Sequence, residues 1–239
     1  MGTRQQYGFT IIEISLFVAI SGLLALGLLT GWSLAINSQR YKDSVDSFYA
    51  YIQQQYSLVY SVENGRSSNF TCNSDSVVTP GDADNPRGQS DCMLLGRYLR
   101  ITDGSKFESF AIVGNENSSS DGTIASYKPR AVDAEIGLTE SEFVIPWGAR
   151  VSSKQSQAPL NIGLAIIRSP SNGVVYTYVN TDTNNNLSLA EMTVPANQKE
   201  QYFCVQPDAG VSGAIQAVYI PQYAASLNAV ETLGDSSGC

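Results

Sequence analysis

Histidine is absent from this chain of 239 residues, and basic side chains are few. Without histidine there can be no Ser-His-Asp or Cys-His nucleophile and no His-ligated zinc site. A pair of carboxylates could still act as general acid and base, but no spacing in the sequence singles out such a pair. The sequence therefore favours a protein that is not an enzyme.

Positive charge is in deficit. The chain has 14 lysines and arginines against 22 aspartates and glutamates, which gives a net charge of −8. Affinity for nucleic acid comes largely from basic side chains that neutralise phosphates. The nearest thing to a basic cluster is Arg97 and Arg100 with Lys106, in a segment that reads as a hairpin. A nucleic-acid partner is therefore disfavoured.

Cysteine is scarce, and no pair has the C-x-x-C spacing of a metal site. The four cysteines are Cys72, Cys92, Cys204 and Cys239. In an exported domain an even number implies disulfides, although three connectivities are open. We favour the local pairing, Cys72 with Cys92 and Cys204 with Cys239. The first bond would close a loop rich in polar residues, and the second would hold the last residue of the chain.

The N-terminal region contains a long apolar run with a carboxylate just before it. No charged residue occurs from Ile14 to Ile36, and Glu13 precedes this run. About 20 apolar residues span the hydrocarbon core of a bilayer. A charged side chain at the centre of a bilayer costs about 2.5–3.5 kcal/mol on insertion scales, so such a residue suggests a function. If the chain is cut between Gly8 and Phe9, the new amine lies about one helical turn from Glu13 and can pair with it.

Residues 8–14, Gly-Phe-Thr-Ile-Ile-Glu-Ile, resemble the prepilin cleavage and methylation motif of type IV pilins and type II secretion pseudopilins. The resemblance implies that residues 1–8 are a leader, which a prepilin peptidase removes between Gly8 and Phe9. It implies N-methylation of Phe9 and a role for Glu13 in assembly. The implied partners are that peptidase, other pilin or pseudopilin subunits and an inner-membrane assembly platform.

Two simpler interpretations of the N-terminus remain. One is a secretory signal peptide, but the apolar region of such a peptide is only about 7–15 residues long, shorter than this run. In this chain the apolar region would also have Glu13 inside it. A plain membrane anchor fits the length, but it gives no reason for Glu13.

Helical periodicity continues beyond the apolar run. Apolar residues recur at steps of three and four over one stripe, at Val45, Phe48, Ile52, Tyr56 and Val59. Asn64-Gly65 is a plausible C-terminal stop. The pattern predicts one helix over 9–63, with a transmembrane or filament-core part (9–36) and an amphipathic part (37–63). Two helices with a hinge near Asn37 are the alternative. The resemblance implies that the second part lies against a β-sheet.

The remainder reads as a loop over 64–91 and a β-rich globular domain over 92–239. Turn residues at Asp103-Gly104 and at 170–173 predict two hairpins, formed by residues 93–101 with 107–113 and 160–167 with 174–179. Shorter strands are expected at 143–145, 202–205 and 214–220. We expect an α+β fold in which the helix packs on antiparallel sheets arranged as a sandwich. Within the family this is most similar to the H-type minor pseudopilins.

One polar segment has the spacing of a calcium-binding loop. Oxygen-bearing side chains occupy alternate positions from Asn180 to Ser188, and Glu191 follows. The first ligand is Asn instead of Asp, and Asn185 stands where such loops have glycine. An Asn-rich turn after a strand is the favoured interpretation, so no metal or other cofactor is expected.

These observations together predict a structural subunit, a minor pilin or pseudopilin, of a type IV pilus or a secretion filament. The alternative is a membrane-tethered exported β-domain that acts as an adhesin or binding module without polymerising. In both cases we expect a single pass through the inner membrane with the C-terminal domain outside. The filament would be periplasmic or on the cell surface. The sequence does not distinguish a pilus from a secretion pseudopilus.

Overall fold

The fold is that of a computed structural model, which describes residues 10–61, 70–80, 92–115, 122–132, 141–154, 157–181, 189–208, 215–234 and 239. Helix α1 (Ile11–Ser61) comes first and helix α2 (Leu189–Met192) is short. The described strands are β1 (Phe70–Cys72), β2 (Val78–Pro80), β3 (Cys92–Thr102), β4 (Lys106–Asn115), β5 (Arg130–Val132), β6 (Ser141–Val144), β7 (Arg150–Ser152), β8 (Ile162–Arg168), β9 (Val175–Asn180), β10 (Gln201–Gln206), β11 (Gln216–Ile220) and β12 (Glu231–Leu233). The fold is α+β, as predicted.

Helix α1 is continuous over 51 residues. It contains no proline, and its three glycines lie in the apolar half, so nothing in its sequence forces a break. The alternative of two helices with a hinge near Asn37 is therefore wrong. At about 1.5 Å per residue the helix is about 77 Å long, and only its second half packs on the domain.

The strands form three antiparallel sheets. The large sheet has the order β5-β4-β3-β8-β9, with β6 also paired to β4. The small sheet has the order β12-β11-β10-β7, and β1 pairs with β2 alone. Both predicted hairpins are present, as β3 with β4 and β8 with β9. The three shorter predicted strands are β6, β10 and β11.

The amphipathic half of α1 packs against both larger sheets. The Phe48 ring lies 4.9 Å from that of Phe107 in the large sheet and 5.4 Å from that of Phe203 in the small sheet, centroid to centroid. The stripe predicted from the sequence is buried along its whole length, and Ile52 and Tyr56 are fully inaccessible. One core thus joins the helix to both sheets.

The large sheet is buried on its other face as well. Leu95, Ile112 and Ile167 point away from α1 and are covered by α2 and by the turn at residues 124–127. A strand buried on both faces needs apolar residues at successive positions. This explains why β8 is apolar almost throughout and is buried at six successive positions.

The turn between β3 and β4 joins the two larger sheets. Gly104 N donates to Leu160 O over 3.0 Å, and Val151 N donates to Gly104 O over 2.7 Å. Gly104 has a φ of +64°, and a Cβ there would come within 2.1 Å of Val151 O. Only glycine allows so close an approach between these two backbones.

Six short elements were not predicted from the sequence. The segment 64–91, predicted to be a loop, contains β1 and β2, so the prediction is wrong for these strands. Strands β5, β7 and β12 were not predicted, nor was α2. The missed strands have three residues each, which is too short for an alternating pattern to show. Their pairing is decided by the neighbouring strand.

Candidate functional site

The first half of α1 is apolar, and its described side chains are not buried against the domain. The segment Ile11–Leu29 has a mean hydropathy of 2.3, and none of it is buried. Its large side chains are mostly exposed, for example Phe17 at 72% and Leu23 at 71%. A contiguous exposed apolar surface of this size marks contact with lipid or with other protein. The segment is long and apolar enough to span a membrane once.

Thr10 and Glu13 cap the start of this helix with reciprocal hydrogen bonds. Thr10 N and Thr10 Oγ1 each donate to Glu13 Oε2 over 3.0 Å, and Glu13 N donates to Thr10 Oγ1 over 3.3 Å. This is a capping box, in which a hydroxyl at the N-cap and a carboxylate three residues later satisfy free amide groups. The cap explains why α1 begins at Ile11, and it gives the carboxylate a local role.

This cap was not predicted, although the sequence carries its signal. Thr-x-x-Glu before an apolar run is the pattern of a capping box. The carboxylate also lies at the positive end of the helix dipole, which favours its charge. The predicted cleavage and methylation positions, Gly8 and Phe9, lie outside the described residues. Pairing between the Phe9 amine and Glu13 therefore stays a prediction.

The helix enters the domain at Tyr41, the first buried residue among the described side chains of α1. The Tyr41 hydroxyl donates to Val205 O over 2.8 Å and accepts from Gln216 N over 2.7 Å. One turn further on, Ser44 Oγ donates to Pro146 O over 2.9 Å. These contacts with three different segments fix the domain directly at the end of the apolar half.

The far end of α1 is held by a buried hydrogen-bond chain. Thr177 Oγ1 donates to Ala224 O over 2.9 Å, so the Tyr56 hydroxyl is the donor to Thr177 over 2.8 Å. Burial raises the pKa of Tyr56 well above its usual range. Ser109 Oγ in β4 similarly donates to Gln55 Oε1 over 2.8 Å. A rotation of the helix on the domain would break these bonds.

Two disulfides have the local pairing favoured from the sequence, Cys72 with Cys92 and Cys204 with Cys239. The Cα atoms are 5.1 Å and 5.7 Å apart, within the normal range for disulfides. The first bond attaches β1 to the start of β3. The second attaches the last residue of the chain to β10 in the small sheet.

Two cations of the possible basic cluster are paired with a carboxylate. Arg100 Nη2 lies 2.6 Å from Glu108 Oε2, and Lys106 Nζ lies 2.8 Å from Glu108 Oε1. These partners, Lys106 first, hold the pKa of Glu108 below its usual range, and the pKa of Lys106 is raised in turn. Charges already neutralised by a neighbour add little attraction for phosphates.

Most of the segment with the spacing of a calcium-binding loop, residues 182–188, lies outside the described residues. Asn180 ends β9 and Glu191 lies in α2. Among the described residues no group of three Asp, Glu or Cys side chains is placed to hold a metal ion.

No protein-family model, curated protein or solved structure matches this chain. The class of protein that the fold defines is an α+β protein with a sheet-rich C-terminal domain and an exposed apolar N-terminal helix.

Proposed function

We propose that this protein is a structural subunit of a type IV pilus or secretion-like filament, anchored and assembled through α1. The observation that carries the proposal is the contrast between the two halves of one rigid helix. The half from Tyr41 onward buries one face against the domain, whereas none of the segment Ile11–Leu29 is buried. Lipid before assembly, and identical helices after it, would cover the exposed half.

The resemblance of residues 8–14 to the prepilin motif supplies the chemistry of the proposal. Cleavage after Gly8 frees the amine of Phe9 close to Glu13. The carboxylate then pairs with that amine, or with the amine of an adjacent subunit. In a low-dielectric environment a buried charge is costly unless it is paired, so the pairing selects the correct docking position. Prepilin peptidase and an inner-membrane assembly platform are the implied partners.

The proposed location follows from charge and disulfides. Arg4 is the only charged residue before Glu13 and lies on the cytoplasmic side by the positive-inside rule. The domain then lies outside the cytoplasm, where disulfides form and persist. The two disulfides of the structure suit that compartment.

Charge pairing and helix capping by Glu13 can be separated by substitution. Glu13→Gln keeps a side chain that can cap, because glutamine also serves in capping boxes, but it removes the charge. Thr10→Ala weakens the cap and keeps the charge. We expect Glu13→Gln and Glu13→Val to lose incorporation into filaments, and Thr10→Ala to retain most of it. Immunoblots of sheared filaments and of membranes measure the assembled and the unassembled protein, respectively.

Processing is the control for this experiment. All three variants must insert and must begin at Phe9 by mass spectrometry, so that loss of incorporation reports assembly alone. Normal incorporation of Glu13→Gln would show that the charge is not needed and would overturn the pairing mechanism. A wild-type protein that retains Met1 would overturn the proposal as a whole.

The capping box favours a second candidate, a tethered β-domain that never polymerises. The cap gives Glu13 a purpose without any partner subunit. Cysteines introduced into the exposed half of α1 distinguish the two functions. Cross-linking between copies in native membranes supports the filament subunit, whereas labelling by lipid probes alone supports the tether.

A further inference from the structure

A tight loop on the domain holds an aromatic ring out into solvent. Ile145 and Ala149 are buried, with only 2% of each side chain accessible, whereas Trp147 between them is 53% exposed. Trp147 has a φ of +61°, and Gly148 follows with +70°. A non-glycine residue in this conformation is strained, and such strain is concentrated at functional positions.

The loop lies against the part of α1 that follows the apolar run. The guanidinium carbon of Arg40 is 4.9 Å from the centroid of the Trp147 ring, a cation–π contact. The bond from Ser44 Oγ to Pro146 O fixes the same loop one turn further along the helix. Trp147 therefore lies at the same height along the axis of α1 as Arg40.

That height coincides with the surface of a bilayer. The charged residues that flank the uncharged run, Glu13 and Arg40, are 27 positions and about 40 Å apart along the helix, which matches the thickness of about 40–45 Å of a bilayer with its headgroup layers. Each headgroup layer of a bilayer is about 5–7 Å thick. Helical side chains also lean towards the N-terminus, so the Arg40 guanidinium leans towards the membrane. Helix α1 continues without a break from the spanning segment Ile11–Leu29 to Tyr41 in the domain.

We propose that the Trp147 loop, residues 145–149, contacts the headgroup layer of the membrane that α1 crosses. Tryptophan is enriched at membrane interfaces, where its ring meets the acyl chains and its N–H meets the headgroups. Arg40 lies at the level of the lipid phosphates, which its guanidinium binds. Asp208 borders the loop at Gly148. Because cation and anion are both present, the occupant is a phospholipid headgroup layer without a required net charge.

The contact has a consequence for the orientation of the whole protein. Interfacial aromatic and basic residues set the tilt and rotation of a spanning helix. Because Trp147 lies on one side of α1 and the domain is locked to the helix, lipid contact at this loop fixes which face of the domain points away from the membrane. The proposal rests on the spanning segment and not on filament assembly.

Fluorescence quenching by lipid tests the contact in the full-length protein. The chain has two tryptophans, so Trp32→Phe leaves Trp147 as the only one. The protein is inserted into phosphatidylcholine vesicles whose acyl chains carry bromine near the ester or near the chain end. We expect Trp147 to be quenched more by the shallow bromines than by the deep ones.

The matched control moves the tryptophan to the opposite end of the domain. Tyr223 is 66% exposed and precedes the Ala224 carbonyl that accepts from Thr177, at the distal end of α1. Trp32→Phe with Trp147→Phe and Tyr223→Trp gives this control. Quenching of Trp147 several-fold stronger than that of the control supports the contact, and equal quenching overturns it. If the Trp32→Phe variant does not insert into the vesicles, the quenching of Trp147 is obtained as the difference between the wild-type chain and its Trp147→Phe variant.

Two further outcomes are decisive. Arg40→Ala should lower the shallow quenching of Trp147, whereas Lys42→Ala, the same charge change at an exposed position nearby, should not. Equal effects of both variants overturn the role of Arg40. If lipid quenching is absent at high dilution and Trp147 becomes shielded as protein density rises, a second copy of the chain covers the loop, and the membrane contact is wrong.

Discussion

Several single residues of this protein have a conformation or a contact that their neighbours do not share. One carboxylate oxygen of Glu13 accepts hydrogen bonds from both Thr10 N and Thr10 Oγ1, and Trp147 has a positive φ. The buried Tyr56 hydroxyl is bonded to the Thr177 hydroxyl in β9. At this scale each side chain can be tested by a pair of substitutions that differ in one property.

Trp147 can be tested by a comparison of alanine with glycine. Both Trp147→Ala and Trp147→Gly lose the contact with Arg40, but only glycine adopts a φ of +61° without strain. We expect the glycine variant to be more stable than the alanine variant by about 1 kcal/mol. Chemical denaturation followed by circular dichroism measures the difference. Equal stabilities would show that the backbone at this loop is not strained.

The buried chain from Tyr56 to Ala224 predicts an asymmetry. Tyr56→Phe removes the first donor and leaves Thr177 still bonded to Ala224 O, at a cost of about 1 kcal/mol. Thr177→Val leaves the Tyr56 hydroxyl and the Ala224 carbonyl unpaired in the core, which costs about 2–4 kcal/mol because each orphan adds a desolvation penalty. The free energies of unfolding of the two variants test this order. A larger loss for Tyr56→Phe would contradict it.

At the scale of elements, the fold depends on the contacts that join the two larger sheets to each other and to α1. Backbone hydrogen bonds link β7 of the small sheet to the turn at Gly104 and to Leu160, just before β8 of the large sheet. The Phe48 ring of the helix contacts both sheets, through Phe107 in the large one and Phe203 in the small one.

Gly104→Ala should be strongly destabilising. The added Cβ would meet Val151 O at 2.1 Å, and neither backbone can move without breaking the junction. Gly173→Ala is the control, because it has a similar φ of +73° but meets only the flexible Arg168 side chain, at 3.7 Å. We expect about 1–2 kcal/mol for the control, from the backbone conformation alone, and at least about 3 kcal/mol for Gly104→Ala. Thermal melts of both variants decide the comparison.

The β3–β4 hairpin predicts a dependence on pH. The folded pKa of Glu108 is lowered, so its ion pairs stabilise the fold above about pH 4.3, the pKa of an unperturbed glutamate. The stabilisation is lost as the pH falls through the folded pKa. Arg100 and Lys106 are half-exposed, which limits the effect to about 1 kcal/mol.

Melting temperatures of wild type and Glu108→Gln should therefore differ at pH 7 and converge at low pH. Glu142→Gln is the control, because Glu142 is 55% exposed and lies 3.6 Å from Lys106. A difference that persists below the folded pKa of Glu108 would show that the carboxylate acts by packing and not by charge.

At the scale of the whole molecule, a rigid helix presents one half to the domain and the other to its surroundings. The domain is closed at both ends by disulfides, one at β1 and one at the last residue. Cys239→Ser should cost about 2–4 kcal/mol, because it frees 35 residues of chain in the unfolded state. Cys204 is almost fully buried, so its thiol remains in an apolar site. Chemical denaturation of both proteins measures this difference in the free energy of unfolding. Reductant should have less effect on the variant, because the variant has already lost one of the two disulfides.

How much of this molecule could be predicted differs from element to element. The helix stripe from Val45 to Val59 and the long hairpins were predicted, because they have clear periods of 3.6 and two residues or strong turn residues between them. The three-residue strands β5, β7 and β12 have no such signal, and they exist because a longer strand offers them an edge. The Thr10–Glu13 cap had a readable signal that was overlooked.

The amino-acid sequence alone determined that the chain has an exposed apolar helix, an acidic residue at its start and a β-rich domain beyond it, because these properties depend on order along the chain. Only the tertiary structure decided between one helix and two, showed which residues of the two sheets contact α1, and placed Trp147 beside Arg40. More than a hundred positions separate those two residues in the sequence. Their meeting depends on the packing of all the elements between them, which no local pattern can express.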